Sequence, residues 1–356
     1  MLDFIAMKLF YRVTPRPTRF NHETHLPRAR HAILHRQKAV SRETRTPIAA
    51  FRRQAFALMM ALLAACSQSI AQPSDRAKPE DSVLKDIDLA AYLDCAREQG
   101  ITLLQAHRGG GGAGKAENSI AAISESLANG AVFVEIDVSR TADGTLILMH
   151  DDTLDRTTTG KGPFAHLTYE QLQQFTLVDA KGKNTGEAIS TLTAALAMLK
   201  DRGIAQIDLK HPTSVADIAR VLEAEDATRR SLVITYSIEQ AVAVHQRLPG
   251  VMISLGVSSL SDVTAIQRAG LPLNRVIAWL GLGSGNAKLD QALAKMGVET
   301  SYGDFQAERK DYADYPQMAA NGAELLSVKN VAAATTALKA AGKATQLQHA
   351  CPTNSR

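Results

Sequence analysis

Eight short β-rich runs, most of them separated by amphipathic helical stretches, occupy residues 101–327. The runs fall at 101–106, 131–137, 204–209, 231–236, 251–255, 275–279, 298–302 and 323–327. Gly130, Gly203, Gly270, Gly297, Gly322 and Gly342 read as the stops of the intervening helices. Thr168-x-x-Gln171 and Ser237-x-x-Gln240 read as capping boxes at helix starts. Such an alternation over about 250 residues predicts a parallel sheet closed on itself, the (β/α)8 TIM barrel. An open, doubly wound sheet would satisfy the alternation but gives no reason for reactive side chains at the ends of several successive strands. An amphipathic helix, "DSVLKDIDLAAYLDCAREQG", ends at Gly100 before the first run.

One apolar run breaks the pattern. "TLILMH", Thr145 to His150, follows the second strand too closely for a crossover helix, so it cannot be its parallel neighbour. Asp143-Gly144 is a hairpin signal. With equal arms, the returning strand brings His150 to the level of Asp137 above the barrel mouth, and the barrel keeps its eight strands.

The strand ends then collect chemistry. The first strand runs into His107-Arg108, the second ends in Glu135-x-Asp137, the hairpin returns His150-Asp151, and the third barrel strand ends in Asp208-x-Lys210. A spacing of two places both members of a pair on one side of a strand. In this fold reactive groups sit at the C-terminal strand ends. Glu135, Asp137 and Asp208 are hard oxygen donors suited to Mg²⁺ or Ca²⁺, and without a cation they would raise one another's pKa. Arg108 and Lys210 beside such a metal imply an anionic ligand, for which a phosphodiester is the natural candidate. His107 and His150 supply a general base and a general acid. The five glycines of "RGGGGAG", Gly109 to Gly112 and Gly114, read equally well as a backbone cradle for a polar head group and as a linker to the next helix.

In order and spacing, "HRG" (107–109), "AENS" (116–119), "GAVFVEIDV" (130–138), "TADGTLILMHDDTLDRTT" (141–158) and "IDLK" (207–210) resemble the glycerophosphodiester phosphodiesterases, across roughly residues 100–345. The resemblance implies a metal-dependent barrel that cleaves glycerophosphodiesters, such as glycerophosphocholine, to glycerol 3-phosphate and an alcohol. It implies His107 and His150 as the acid–base pair and Glu135, Asp137 and Asp208 as metal ligands. Arg108 and Lys210 match phosphate-contacting residues, and Glu117 and Asn118 match a substrate-side signature. It leaves open which histidine is the base, and whether water or the glycerol 2-hydroxyl attacks. A lysophospholipase D or sphingomyelinase-D-like activity shares this barrel and acid–base pair. A surface protein that binds head groups without cleaving them is the alternative from another class.

Three departures stand out. Asp208 is one methylene shorter than the family's usual Glu, the glycine run is long, and "ELLSVKNV" lacks an Asp-Pro pair near the last strand. A small insertion, "TTTGKGPFAHLTYEQLQQF", is expected over the mouth, with Phe164, Tyr169 and Phe175 either touching substrate or packing the insertion down. Trp279, Tyr302 and Phe305 read as core or as pocket wall, and His166, His211 and His245 as surface residues or as more distant neighbours of the site.

Residues 1–66 hold 12 Lys+Arg against 3 Asp+Glu, which leaves 28 against 33 in the remainder, so the basic character of the chain lies in its leader. A nucleic-acid partner is therefore not expected. "FRRQAFALMMALLAAC" combines Arg52 and Arg53, a short apolar stretch and the lipobox-like Leu63–Cys66. It predicts export with lipidation at Cys66 and a periplasmic, membrane-anchored enzyme, or else plain secretion with cleavage after Ala71. Residues 67–81 read as a linker and 82–356 as the barrel domain. Cys95 and Cys351 flank that domain and read either as a disulfide or as two separate thiols.

Overall fold

The computed structural model describes residues 88–111 and 114–345, together with Leu84. The leader, Cys66, His349 and Cys351 lie outside the described residues; Cys95 is disulfide-bonded. The strands are β1 (Leu103–Ala106), β2 (Phe133–Arg140), β3 (Leu146–Leu148), β4 (Thr176–Val178), β5 (Asn184–Ala188), β6 (Ile204–Leu209), β7 (Ser231–Thr235), β8 (Met252–Gly256), β9 (Val276–Leu282), β10 (Glu299–Gly303) and β11 (Leu325–Val328). Parallel pairing runs β1–β2–β6–β7–β8–β9–β10–β11 and returns to β1, which closes the expected eight-stranded barrel.

The barrel interior is layered by the two-residue period of its strands. Leu103, Phe133, Ile204, Leu232, Met252, Ile277 and Leu325, one from each of seven strands, form the bottom layer. Helix α1 (Leu89–Glu98), N-capped by Asp88, plugs that end with Leu89, Tyr92, Leu93 and Ala96. Two residues further along, five of these seven strands turn polar: Gln105, Glu135, Gln206, Ser254 and Ser327, with Ile234 and Trp279 from the other two, line the floor of a cavity that opens at the opposite end. Two more reach the rim at His107, Asp137, Asp208 and Tyr236. One periodicity thus sets both the sealed end and the reactive end.

The hairpin forms with a register one step from the equal-arm expectation. β3 pairs antiparallel to β2 as Val138↔Leu148, Ser139↔Ile147 and Arg140↔Leu146. The Met149 N–H donates to the Asp137 carbonyl at 3.0 Å, so Met149 and not His150 stands opposite Asp137. The cause is the turn. Thr141 N–H donates to the Thr145 carbonyl at 3.0 Å, which leaves a three-residue loop, Ala142 to Gly144, with Gly144 at φ 83°. Leu146 and Leu148 join the main core, whereas Ile147 and Met149 face the insertion. Past the strand end His150 leaves this alternation and lines the mouth cavity with Glu135 and Asp137.

The insertion packs on itself. Helix α3 (Tyr169–Leu172, the third after α2, Ile120–Ala128) and the β4–β5 ribbon enclose a small core of Ile147, Met149, Leu154, Phe164, Leu172, Leu177 and Ile189. Phe164 is buried there, Phe175 packs against the same cluster, and the Tyr169 hydroxyl donates to the Ile189 carbonyl at 3.2 Å. These aromatics hold the insertion down. Thr168 and Gln171 form the expected reciprocal box. Ser237 caps its helix through Gln240 N–H, but the Gln240 side-chain oxygen accepts from Tyr236 N–H at 2.9 Å, one residue earlier than a capping box requires. Gly203 is not a helix stop: Asp201, at φ 58°, makes the left-handed turn. A Cβ on Gly203 would lie 2.7 Å from Leu127, so that glycine serves close packing.

Candidate active site

β1 leaves the core through a tight turn at His107–Gly109 in which Arg108, at φ 55° and ψ 40°, adopts a left-handed conformation. Its backbone N–H donates to Glu135 Oε2 at 2.6 Å, and its carbonyl accepts from Asn118 N–H at 2.7 Å. These bonds hold a costly backbone geometry at the cavity mouth. The glycines beside it serve packing: the Ser126 hydroxyl of α2 donates to the Gly109 carbonyl at 2.8 Å, and a Cβ on Gly110, at φ 80°, would sit 2.1 Å from that hydroxyl. Gly110→Ala is expected to cost about 2–4 kcal/mol in urea unfolding. Gly111→Ala, whose Cβ would meet nothing within 4 Å, is expected to stay within about 0.5 kcal/mol of wild type.

Glu135, Asp137 and Asp208 are all buried, and one carboxylate oxygen from each lies within 4.8 Å of the others. Burial and the adjacent Asp137 and Asp208 push Glu135 well above the usual carboxylate range. The site therefore favours either a proton or a cation. Lys210 Nζ lies 2.6 Å from Asp208 Oδ2 and 3.0 Å from Asp137 Oδ1. Burial alone would lower that ammonium's pKa, but the two carboxylates outweigh it and hold it above its ordinary value. Asn118, also at positive φ, gives both ends of its amide to Asp137: Nδ2 donates to Oδ2 at 2.7 Å and Oδ1 accepts from the Asp137 N–H at 3.0 Å. Such outer contacts aim a ligating carboxylate. In the same cavity, Gln105 Oε1 and Gln206 Oε1 are buried without a hydrogen-bond partner. Three hard carboxylates above unpartnered amide oxygens fit a divalent cation with water in its shell.

The histidines sit in unlike surroundings. His107 stacks on Phe305 with ring centroids 4.1 Å apart. Burial, then Arg108 and Lys329, push its pKa down to about 3, so the ring is neutral at pH 7. The unfolded chain binds this proton near the ordinary 6.5, so folding stability falls as pH drops from 6.5 toward 3. Urea midpoints at pH 7 and pH 5 are expected to show wild type losing about 2 kcal/mol more than His107→Asn over that interval. His150 Nδ1 lies 2.7 Å from Asp151 Oδ1. Arg156 donates to Asp151 through Nε at 2.7 Å, which keeps that carboxyl well below its usual range. An ionised Asp151 accepts from Nδ1–H, which leaves Nε2 as the nitrogen that can exchange a proton with a ligand.

Glu117 does not reach the carboxylate cluster. It bridges two guanidinium groups, Arg108 Nη1 at 3.0 Å and Arg156 Nη2 at 2.8 Å. An ionic chain thus runs Arg108–Glu117–Arg156–Asp151–His150 and ties the first strand's turn to the hairpin. His107, Arg108, Glu135, Asp137, His150, Asp208 and Lys210 line one cavity of about 410 Å³; Glu117 and Asn118 stand behind it. Trp279 and Phe305 belong to its wall, whereas Tyr302 is buried in the core. His166 and His211 are exposed, and His245 lines a separate depression with Pro272 and Leu273. Two residues escaped the sequence reading. The Tyr236 hydroxyl donates to Asp208 at 2.8 Å, and Arg156 holds both Asp151 and Glu117. Tyr236 was within reach of the sequence, since it continues the two-residue spacing Leu232, Ile234, Tyr236.

Residues 107–275 match the model of the Glycerophosphoryl diester phosphodiesterase family. Glycerophosphodiester phosphodiesterase 1 of Rattus norvegicus is 49% identical over 69 residues, 19% of this chain, and the chain spans only 20% of that relative's length. A crystal structure of a glycerophosphoryl diester phosphodiesterase from Parabacteroides distasonis superposes with a TM-score of 0.62 at 23% identity, covering 73% of this chain and 91% of that one. An Oleispira antarctica phosphodiesterase, solved in complex with the product sn-glycerol-3-phosphate, superposes with a TM-score of 0.53 at 19% identity over 68% of this chain and 99% of that one.

Proposed function

We propose, for a chain that carries the sequence of the glycerophosphoryl diester phosphodiesterase family across residues 107–275, metal-dependent hydrolysis of glycerophosphodiesters to glycerol 3-phosphate and an alcohol. One observation carries the reading: three buried carboxylates whose oxygens approach within 4.8 Å open into the same cavity as two histidines. Glu135, Asp137 and Asp208 would hold Mg²⁺ or Ca²⁺, which supplies Lewis-acid polarisation of a phosphoryl oxygen. Arg108 and Lys210 bind the remaining phosphate charge. The neutral His107 accepts the proton of the attacking hydroxyl as the new P–O bond forms. His150, its Nδ1–H held by Asp151, gives the proton carried on Nε2 to the departing alkoxide as the old P–O bond breaks. After water has added across the ester, both rings return to their starting states. Export with lipidation at Cys66 completes the reading and rests on the leader sequence alone.

The direct test is product release. With Mg²⁺ or Ca²⁺ the protein is expected to liberate glycerol 3-phosphate from glycerophosphocholine, and saturating EDTA is expected to stop it. A rate unchanged in EDTA, or choline phosphate as the product, overturns the reading.

A further inference from the structure

A second chamber of about 310 Å³ adjoins the catalytic cavity and shares His107 and Arg108 with it. Its wall carries four cationic side chains, Arg108, Lys115, Arg156 and Lys329, against two carboxylates, Glu117 and Asp179. Those carboxylates are already occupied. Glu117 is shared between Arg108 and Arg156, and Asp179 Oδ1 accepts from the backbone N–H groups of Lys181 and Lys183, both at 2.9 Å. Lys115 and Lys329 form no ion pair with any carboxylate among the described residues. Lys329 is half-buried, and its ammonium lies over the face of Phe305, 5.5 Å from the ring centroid. An aromatic face steadies an ammonium but does not neutralise it. Lys329 also continues the inward spacing Leu325, Ser327 on β11, and the β1–β11 register, Gln105↔Ser327, brings it to the level of His107. Glu308, whose carboxylate accepts from the Lys329 backbone N–H at 2.9 Å, and the shared Glu117 offset part of that charge; an ammonium set between an aromatic ring and the Arg108 guanidinium still favours an arriving anion.

We infer that this chamber seats a second anionic group of the substrate, so that the preferred glycerophosphodiesters carry a phosphate or carboxylate on the alcohol released. The scissile phosphate occupies Arg108 and the carboxylate-bound cation on one side. The second anion reaches Lys329 and Lys115 on the other, with Arg108 common to both. A cationic head group such as choline would meet like charge there. The inference rests on the proposed diesterase activity and narrows its substrate class.

The test compares three diesters of glycerol 3-phosphate under the same metal and salt: the choline, inositol and inositol 4-phosphate esters. Wild type is expected to favour the inositol 4-phosphate ester over the uncharged inositol ester by at least about tenfold in kcat/KM, chiefly through KM. The choline ester is expected to be the poorest of the three. Lys329→Gln and Lys115→Gln are each expected to cut the inositol 4-phosphate/inositol ratio about fivefold or more. The inositol/choline ratio should fall with them, and Lys339→Gln, exposed in the last turn of the helix Val331–Ala340 and absent from the chamber's wall, should leave both ratios unchanged. Hydrolysis of all three esters with no charge preference, or a preference indifferent to Lys115 and Lys329, overturns the inference while the diesterase reading stands. Hydrolysis of none defeats the diesterase reading itself.

Discussion

His107→Ala and His150→Ala are each expected to lower kcat/KM for glycerophosphocholine by about 10²–10⁴-fold with circular dichroism unchanged, the usual range for a lost acid or base. The two should then separate when the leaving group changes. An alkoxide needs a proton to depart, whereas a nitrophenolate departs without one. On a p-nitrophenyl diester, His150→Ala is expected to recover to within about tenfold of wild type, while His107→Ala stays depressed. The assignment follows from surroundings. His107 is kept neutral by burial and by the charges of Arg108 and Lys329, which suits a proton acceptor. His150 has Asp151 on Nδ1, which fixes which nitrogen exchanges a proton with substrate. Recovery by His107→Ala instead would reverse the roles, and recovery by both or by neither would remove the division of labour. Near-wild-type rates in both variants on glycerophosphocholine would refute the pair altogether.

Glu135→Gln should separate stability from activity. In EDTA, the variant no longer forces a third negative charge beside Asp137 and Asp208, and its amide oxygen can still accept from Arg108 N–H. It is expected to match or exceed wild type by about 1–2 kcal/mol, a rise of a few degrees in Tm. Mg²⁺ or Ca²⁺ is expected to raise the Tm of wild type but not of the variant. Turnover should fall about 10³-fold or more, since a bound cation offsets much of the negative charge that builds on the phosphoryl oxygens in the transition state. A variant that loses stability in EDTA while keeping its metal-dependent Tm shift would show that Glu135 is held for packing, not for a cation.

How much of this could be read before folding depended on period and spacing. The barrel followed from strand runs and helix stops, and its second strand was underestimated because Val138 to Arg140 pair with the hairpin arm and not with a barrel neighbour alone. The metal carboxylates and Lys210 were legible because pairs two apart on one strand share a face. Tyr236 and Lys329 obey the same rule, but lone residues at a strand end carry no pair to mark them. Arg156 had no periodic signal. It lies in the irregular stretch between the hairpin and the insertion, where only the folded chain brings it between Asp151 and Glu117. Gly203 misled because helix stops and close-packing sites select the same residue for different reasons. In the glycine run, which read equally well as a cradle and as a linker, Gly109 and Gly110 pack against Ser126 and Ile123 of α2.

Ala142 is a solvent-facing alanine in a surface loop, the kind of position where chain length ordinarily drifts without consequence. Here it decides which side chain arrives beside the carboxylates. Losing it while the three-residue bend is kept would hand Thr145 to Arg140, slide the returning arm by one place along β2 and carry His150 out of its place beside the carboxylates. Inheritance of this chemistry therefore constrains the length of an exposed bend as tightly as it constrains the identity of the reactive residues.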